Sequence, residues 1–273
     1  MTQHPDLLVE QKRAALYVTL NRPDKRNAQT PSLWMALHEV ARTLDPSVRV
    51  VVLQGAGDDF SAGLDLHIMS PEGLPGEPKL PAIARARGEQ ETANLIGTFQ
   101  EAFSAWREVD AIVIAAVQGH AIGAGFQLAL AADLRIVTDD SKLALKETSL
   151  GLVPDLGGIQ PLVDAVGYSR ALEIALTGRW VTAQEAVNSG IACLGVPRSE
   201  LKLATGQVVD AICENSDLAV RELKKLMVGA SRRTTAEQLQ AEREAQGRLL
   251  VDLVTPAGFD RSKTHSHDHH HEH

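Results

Sequence analysis

The sequence predicts an α/β fold with a largely parallel sheet, on three observations. Strand-like and helix-like segments alternate through Val48–Gln54, Asn94–Trp106 and Ala111–Val117, and such alternation reads as crossover units on parallel strands. The third of these segments runs through Gln118-Gly119-His120-Ala121-Ile122-Gly123-Ala124 into an apolar run ending at Asp133, a strand-to-helix junction built of small residues. After Gly157 the chain turns helical.

Each element has its own signal. Asp6–Glu10 and Ala14–Leu20 read as two short strands of a hairpin. Pro31–Leu44 places Leu33, Trp34, Leu37 and Val40 at helical spacing. Val48–Gln54 is rich in β-branched residues and bounded by glycine, as a strand should be. Ser70–Pro81 is rich in proline and glycine and is expected to be a mobile loop, either covering a substrate or forming a plain surface insertion. Thr182 and Glu185 fit a capping box, and Asp217–Met227 and Thr235–Leu253 complete a helical end. The expected organisation is a core domain over 1–200, a helical region over 201–258 and a His-rich disordered tail over 259–273. Six of the ten histidines fall in His265–His273, which reads either as a metal-avid tail or as a segment without a role.

Composition excludes several functions. With 44% hydrophobic residues the chain can bury a normal core. Its 27 basic and 35 acidic residues give a net charge of −8, which argues against nucleic acid or an anionic membrane as partner. The two cysteines, Cys193 and Cys213, lack metal-ligand spacing and suit a reducing cytoplasm. No signal peptide is evident, and no apolar run reaches the roughly 20 residues of a membrane span. A soluble cytoplasmic protein without a metal centre is the expectation.

The junction at Gly123-Ala124 carries the first chemical signal. The opening N–H groups of a helix have no partner inside it, and small residues let a ligand reach them. They suit an oxygen that becomes negative during reaction. The same pattern also serves tight strand-to-helix packing.

Four blocks in order give the junction a context: Asn21-Arg22-Pro23-Asp24-Lys25-Arg26-Asn27-Ala28, Phe60-Ser61-Ala62-Gly63-Leu64-Asp65, Gly119–Asp133, and Gly151-Leu152-Val153-Pro154-Asp155-Leu156-Gly157-Gly158. With Leu176-Thr177-Gly178, Thr182–Ala186 and Gly190 they resemble the crotonase superfamily, the enoyl-CoA hydratase/isomerase family, over roughly residues 5 to 250. The resemblance implies a spiral of ββα units with a C-terminal helical trimerisation region, and hence a homotrimer or a hexamer made of two trimers. It implies an acyl-CoA substrate, with coenzyme A brought as part of that substrate and no tightly bound cofactor. The His-rich end departs from the family, which usually continues there as a helix bearing basic residues.

The resemblance also implies roles. The backbone N–H groups of Leu64 and Ala124 would polarise the thioester carbonyl, and Ala124 keeps its Cβ there only if its φ is negative. Lys25 and Arg26 would meet the phosphates of CoA or merely add surface charge. Ala62, Gly63, Asp65, Leu66 and Gly123 would line the nucleotide and pantetheine. The hydratases use two carboxylates, one at Glu147 and one where this chain has Gln127, which cannot take up a proton at neutral pH. Gln127 would instead hold a water or the acyl chain. Glu147 with Asp155 is similar to the carboxylate pair of the dienoyl-CoA isomerases, although these carry a further acidic residue at the position of Gln127. A double-bond isomerase is therefore favoured over an enoyl-CoA hydratase, a thioester hydrolase, or a homologue that binds acyl-CoA without turning it over. Which carboxyl acts as base stays open. Read without the family, Asp155 is a helix N-cap and Glu147 a solvent-facing carboxylate at a strand end. His67 and His120 lie near the site in sequence and read as structural or titrating histidines.

Overall fold

The computed structural model describes residues 4–255, so the His-rich tail lies outside the described residues. The hairpin forms as β1 (Leu7–Lys12) and β2 (Ala15–Leu20), paired antiparallel with Val9 opposite Val18. Helix α1 (Pro31–Arg42) follows, with Pro31 in its first turn and the Thr30 hydroxyl accepting from the Leu33 N–H. Next come β3 (Val50–Gly55), α2 (Leu80–Glu108) and β4 (Ile112–Val117). The short β5 (His120–Ile122) leads into α3 (Ala124–Ala131). Strands β6 (Leu134–Thr138) and β7 (Lys142–Ala144) precede α4 (Ile159–Val166) and α5 (Tyr168–Thr177). Then follow β8 (Val181–Thr182), α6 (Ala183–Asn188), β9 (Leu194–Val196), α7 (Leu201–Glu214), α8 (Asp217–Ala230) and α9 (Thr235–Val254).

The main sheet has six strands in the order β1-β2-β3-β4-β6-β9, parallel except for the opening hairpin. Its central strands are buried on both faces, as parallel sheets require. Val51, Leu53, Val113, Ala115 and Val117 belong to one core with α1, α2 and α3, whereas Val50, Val52, Ile114 and Ala116 belong to a second core with Leu201, Ala204 and Val209 of α7. A second sheet, β5-β7-β8, carries the site.

Four expectations need correction. The loop after Ser70 ends at Lys79, because Pro81 fits the first turn of a helix. It is also tied down: Glu77 accepts from the Ser32 N–H at 3.1 Å. Helix α2 is longer than its apolar pattern indicated and is interrupted at Gly88, whose φ of 77° is non-helical. The Thr182 hydroxyl caps α6, but the Glu185 carboxylate turns to Arg179 instead of closing the box. The reciprocal box sits at Thr234 and Glu237 instead. Finally, α7 packs on the sheet, and the chain divides into two compact units after Glu214 rather than after residue 200. In the second unit, α8 and α9 are joined by an ion pair between Arg248 and Glu222 at 2.5 Å.

Candidate active site

The site begins with two segments from distant parts of the first unit, laced side by side. Ser61 pairs with Ala121 as an isolated parallel bridge, its N–H donating to His120 O at 3.0 Å and its O accepting from the Ile122 N–H at 3.0 Å. On the other side, Leu64 bridges Gln29: the Gln29 N–H donates to Gly63 O at 2.7 Å and the Asp65 N–H to Gln29 O at 2.8 Å. The Ser61 hydroxyl sits in the centre, donating to Asn27 O at 2.8 Å and accepting from Gln29 Nε2 at 2.9 Å and from the Gly63 N–H at 3.2 Å. Trp34 Nε1 in turn fixes Gln29 Oε1 at 2.8 Å. Sequence reasoning passed over Asn27, Gln29 and Ser61 because polar residues announce such a network only once they are buried together.

Among the described residues the N–H of Leu64 has no hydrogen-bond partner, nor has that of Ala124, which opens the first turn of α3 ahead of the equally unpaired N–H groups of Gly125 and Phe126. The N–H groups just before Leu64 and Ala124 are satisfied, Gly63 by Ser61 and Gly123 by Ala144 O at 2.8 Å. The two segments nearly touch. A Cβ on Gly63, at φ +87°, would lie 2.4 Å from Ile122 O and 3.4 Å from Ala124 N. Only glycine fits such an approach at positive φ. Gly123 caps α3 at φ 52° and ψ −117°, while Ala124 keeps a negative φ and so tolerates its Cβ. Two free donors on facing segments, one at a helix N-terminus, can stabilise an oxygen that gains negative charge.

Strand pairing brings the carboxylates to the same place. Strand β7 runs parallel to β5 with Ala144 opposite Ile122. Three residues later Glu147 opens a short 3-10 turn, Glu147–Leu150. Its carboxylate lies against the α3 N-terminus, 3.3 Å from where a Cβ on Gly123 would stand. Glu147 is half-buried rather than solvent-facing, and its Oε2 is buried without a hydrogen-bond partner among the described residues. Burial pushes its carboxyl above the ordinary range, and the nearby Asp155 charge adds to this against hydrogen bonds from its own N–H, Gln127 and Lys146. Asp155 is likewise pushed up by burial, opposed by its own N–H. It is not an N-cap, since Gly158 caps α4.

The other candidate residues divide into surface and brace. Lys25 and Arg26 are exposed, and Arg26 Nε stands 3.6 Å from Asp59 Oδ2. Ala62 and Gly63 lie on the laced segment, and Leu66 is 56% exposed beyond it. Asp65, by contrast, is spent inside the protein, accepting from Arg22 Nη1 at 2.8 Å and from the His67 N–H at 3.1 Å. Burial opposes its charge, yet His67 and Arg22 together hold its carboxyl below the usual range. Gln127 is 1% exposed, so it stands beneath the site. Both histidines have carboxylate partners, His67 Nδ1 with Asp65 at 2.9 Å and His120 Nδ1 with Asp59 at 2.7 Å. Among the described residues no cluster of three or more His, Cys, Asp or Glu could hold a metal. A hollow of about 870 Å³ near Tyr168, Arg170 and Arg179 is lined by none of these groups.

The class follows from fold and sequence together. Residues 10–254 match the enoyl-CoA hydratase/isomerase family, and the chain belongs to it. Its relatives divide between two reactions. It is 34% identical over 232 residues to the human mitochondrial Δ(3,5)-Δ(2,4)-dienoyl-CoA isomerase, covering 84% of this chain and 70% of that one. It is 33% identical over 252 residues to the 2,3-dehydroadipyl-CoA hydratase of Escherichia coli K12, covering 91% and 90%. A protein of Thermobifida fusca YX, provisionally named an enoyl-CoA hydratase and solved with acetoacetyl-CoA, superposes with a TM-score of 0.87 at 40% identity, covering 91% of this chain and 96% of that one. The chain is thus a crotonase-fold, enoyl-CoA hydratase/isomerase-type protein.

Proposed function

We propose that this protein moves a carbon–carbon double bond in an enoyl- or dienoyl-CoA. The observation that carries the reading is the pairing at Glu147: its neighbour at 127 is an amide, and the second ionisable group acting on it is Asp155. One carboxylate removes a proton beside the unsaturated system. The electron pair spreads to the thioester oxygen, which the Leu64 and Ala124 N–H groups receive. The other carboxyl returns a proton further along the chain, so substrate and product have the same mass and the two carboxyls exchange protonation states. Burial raises the proton affinity of both carboxyls, which suits groups that must both give and take a proton.

Coenzyme A is brought by the substrate. In this reading its phosphates meet Lys25 and Arg26, and its pantetheine runs along Ala62, Gly63, Leu66 and Gly123 toward the two donors. Asp65 acts there as a brace for the segment and not as a ligand. The acetoacetyl-CoA bound by the Thermobifida fusca protein supports the substrate class. Exposed Leu223, Met227, Leu239 and Leu250 on α8 and α9 support self-association, for which a homotrimer or a hexamer is our proposal. Cys193 and Cys213 form no disulfide, which supports a reducing compartment such as the cytoplasm. Among the described residues no helix is long and apolar enough to cross a membrane.

Hydration is the second reading, favoured by the hydratase relatives. The pure protein incubated separately with a 2-trans-enoyl-CoA and a 3,5-dienoyl-CoA decides between them. A dienoyl product of unchanged mass and shifted absorbance is the expected result. An enoyl product heavier by one water, with the dienoyl substrate untouched, would establish hydration instead.

A further inference from the structure

Gln127 joins the two carboxylate-bearing segments. It lies on α3, three residues after Ala124, with its side chain inside the protein. Both ends of its amide are engaged. Nε2 donates to Glu147 Oε1 at 2.8 Å, while Oε1 accepts from the Leu156 N–H at 2.8 Å and the Gly158 N–H at 3.3 Å. Those two N–H groups belong to the turn that directly follows Asp155.

An amide can do both without titrating, which a carboxyl of the same size cannot. It must present an acceptor to two N–H donors and a donor to a carboxylate, and a glutamine has one of each. An ionised carboxylate at 127 would accept from the turn but oppose Glu147. An apolar side chain would leave two buried N–H groups and one carboxylate oxygen unpaired. Resting on the functional reading above, we propose that Gln127 is a positioning residue: it holds Glu147 in its ionised form and fixes the Asp155 turn at a set spacing from it. The role expected from sequence, holding a water or the acyl chain, gives way to this one because neither amide atom is left to face a substrate. The groups facing Glu147 are then the Gln127 amide, its own and the Lys146 N–H, and the Asp155 charge.

The test is a titration that needs no substrate. In the full chain, the Glu147 carboxyl is followed by carbon-13 NMR and assigned by its loss in Glu147→Gln. In Gln127→Met its midpoint is expected to rise by about one pH unit, the size of effect that loss of a hydrogen bond to the charged form produces. With a dienoyl-CoA, kcat should fall about tenfold to a hundredfold while KM stays within about threefold, as misplacement of a catalytic group does. Gly158→Ala disturbs the same contact without replacing Gln127, since its Cβ would press on the Gln127 side chain, 2.7 Å from Cγ. It should move the midpoint in the same direction. A folded Gln127→Met or Gly158→Ala protein of lowered melting temperature but unmoved Glu147 midpoint would overturn the proposal. A protein that hydrates and does not isomerise would defeat the functional reading while leaving this titration intact.

Discussion

The two halves of the site are built from different material. On the proposed reading, the half that would receive the thioester oxygen is backbone, the N–H groups of Leu64 and Ala124 held by strand-like lacing through Ser61, Gln29 and Ala121. The half proposed to move protons is side chain, Glu147 and Asp155 with Gln127 between their segments. A backbone donor is indifferent to the side chain it carries as long as φ and packing allow it. A proton-transfer group is defined by its side chain. The first half should therefore tolerate substitution and fail on loss of an N–H, and the second should fail on changes of a single atom.

The largest effect is expected in the side-chain half. Glu147→Gln and Asp155→Asn should each lower kcat about a thousandfold, within the range for loss of a general acid or base, read as the initial rate of absorbance change with a dienoyl-CoA. Next is the backbone half. Ala124→Pro removes the N–H at the first position of α3, where proline fits a helix. It should cost about a hundredfold in kcat, as loss of one oxyanion donor does, with a melting curve to confirm the fold. Gln127→Glu restores the carboxylate that the hydratase resemblance implies and should raise hydration of a 2-enoyl-CoA about tenfold. That gain would be measured by the mass of one added water. An unchanged hydration rate would remove the argument that the amide steers the reaction.

Smaller effects follow from pH. Because burial raises the Glu147 and Asp155 carboxyls, the folded protein binds their protons more tightly than the unfolded chain. Their contribution to stability is thus greatest in acid and declines as pH rises through the ordinary carboxylate range and up to the raised native values. Glu147→Gln lacks this decline, so its melting temperature should gain on the wild type between pH 4 and pH 7. A gap that shrinks over that interval would show that Glu147 is not raised by burial. The smallest effect belongs to Leu64→Ala, whose kcat should stay within about threefold of wild type because the N–H remains.

The same division explains what the sequence revealed. The strands were legible because Val50–Val52 and Val113–Val117 are buried on both faces and read as continuous apolar runs. Leu64, Ala124, Glu147 and Asp155 were legible as positions because glycines mark the turns that present them. The roles of Gln127 and Asp65 were not. Gln127 finds its partners 20, 29 and 31 residues away, and Asp65 meets Arg22 across 43 residues, distances at which local pattern carries nothing. The start of α2 was hidden for another reason. Its Leu80-Pro81 opening reads as loop chemistry until the helix is seen, and the break at Gly88 splits its periodicity.

The most direct test of the central claim compares wild type and Asp155→Asn on a 3,5-dienoyl-CoA and a 2-trans-enoyl-CoA in the same preparation. The account predicts that wild type converts the dienoyl substrate to a product of equal mass, and that Asp155→Asn loses this conversion about a thousandfold. Isomerisation undiminished in Asp155→Asn, or a wild type that only adds water to the enoyl substrate, would contradict it.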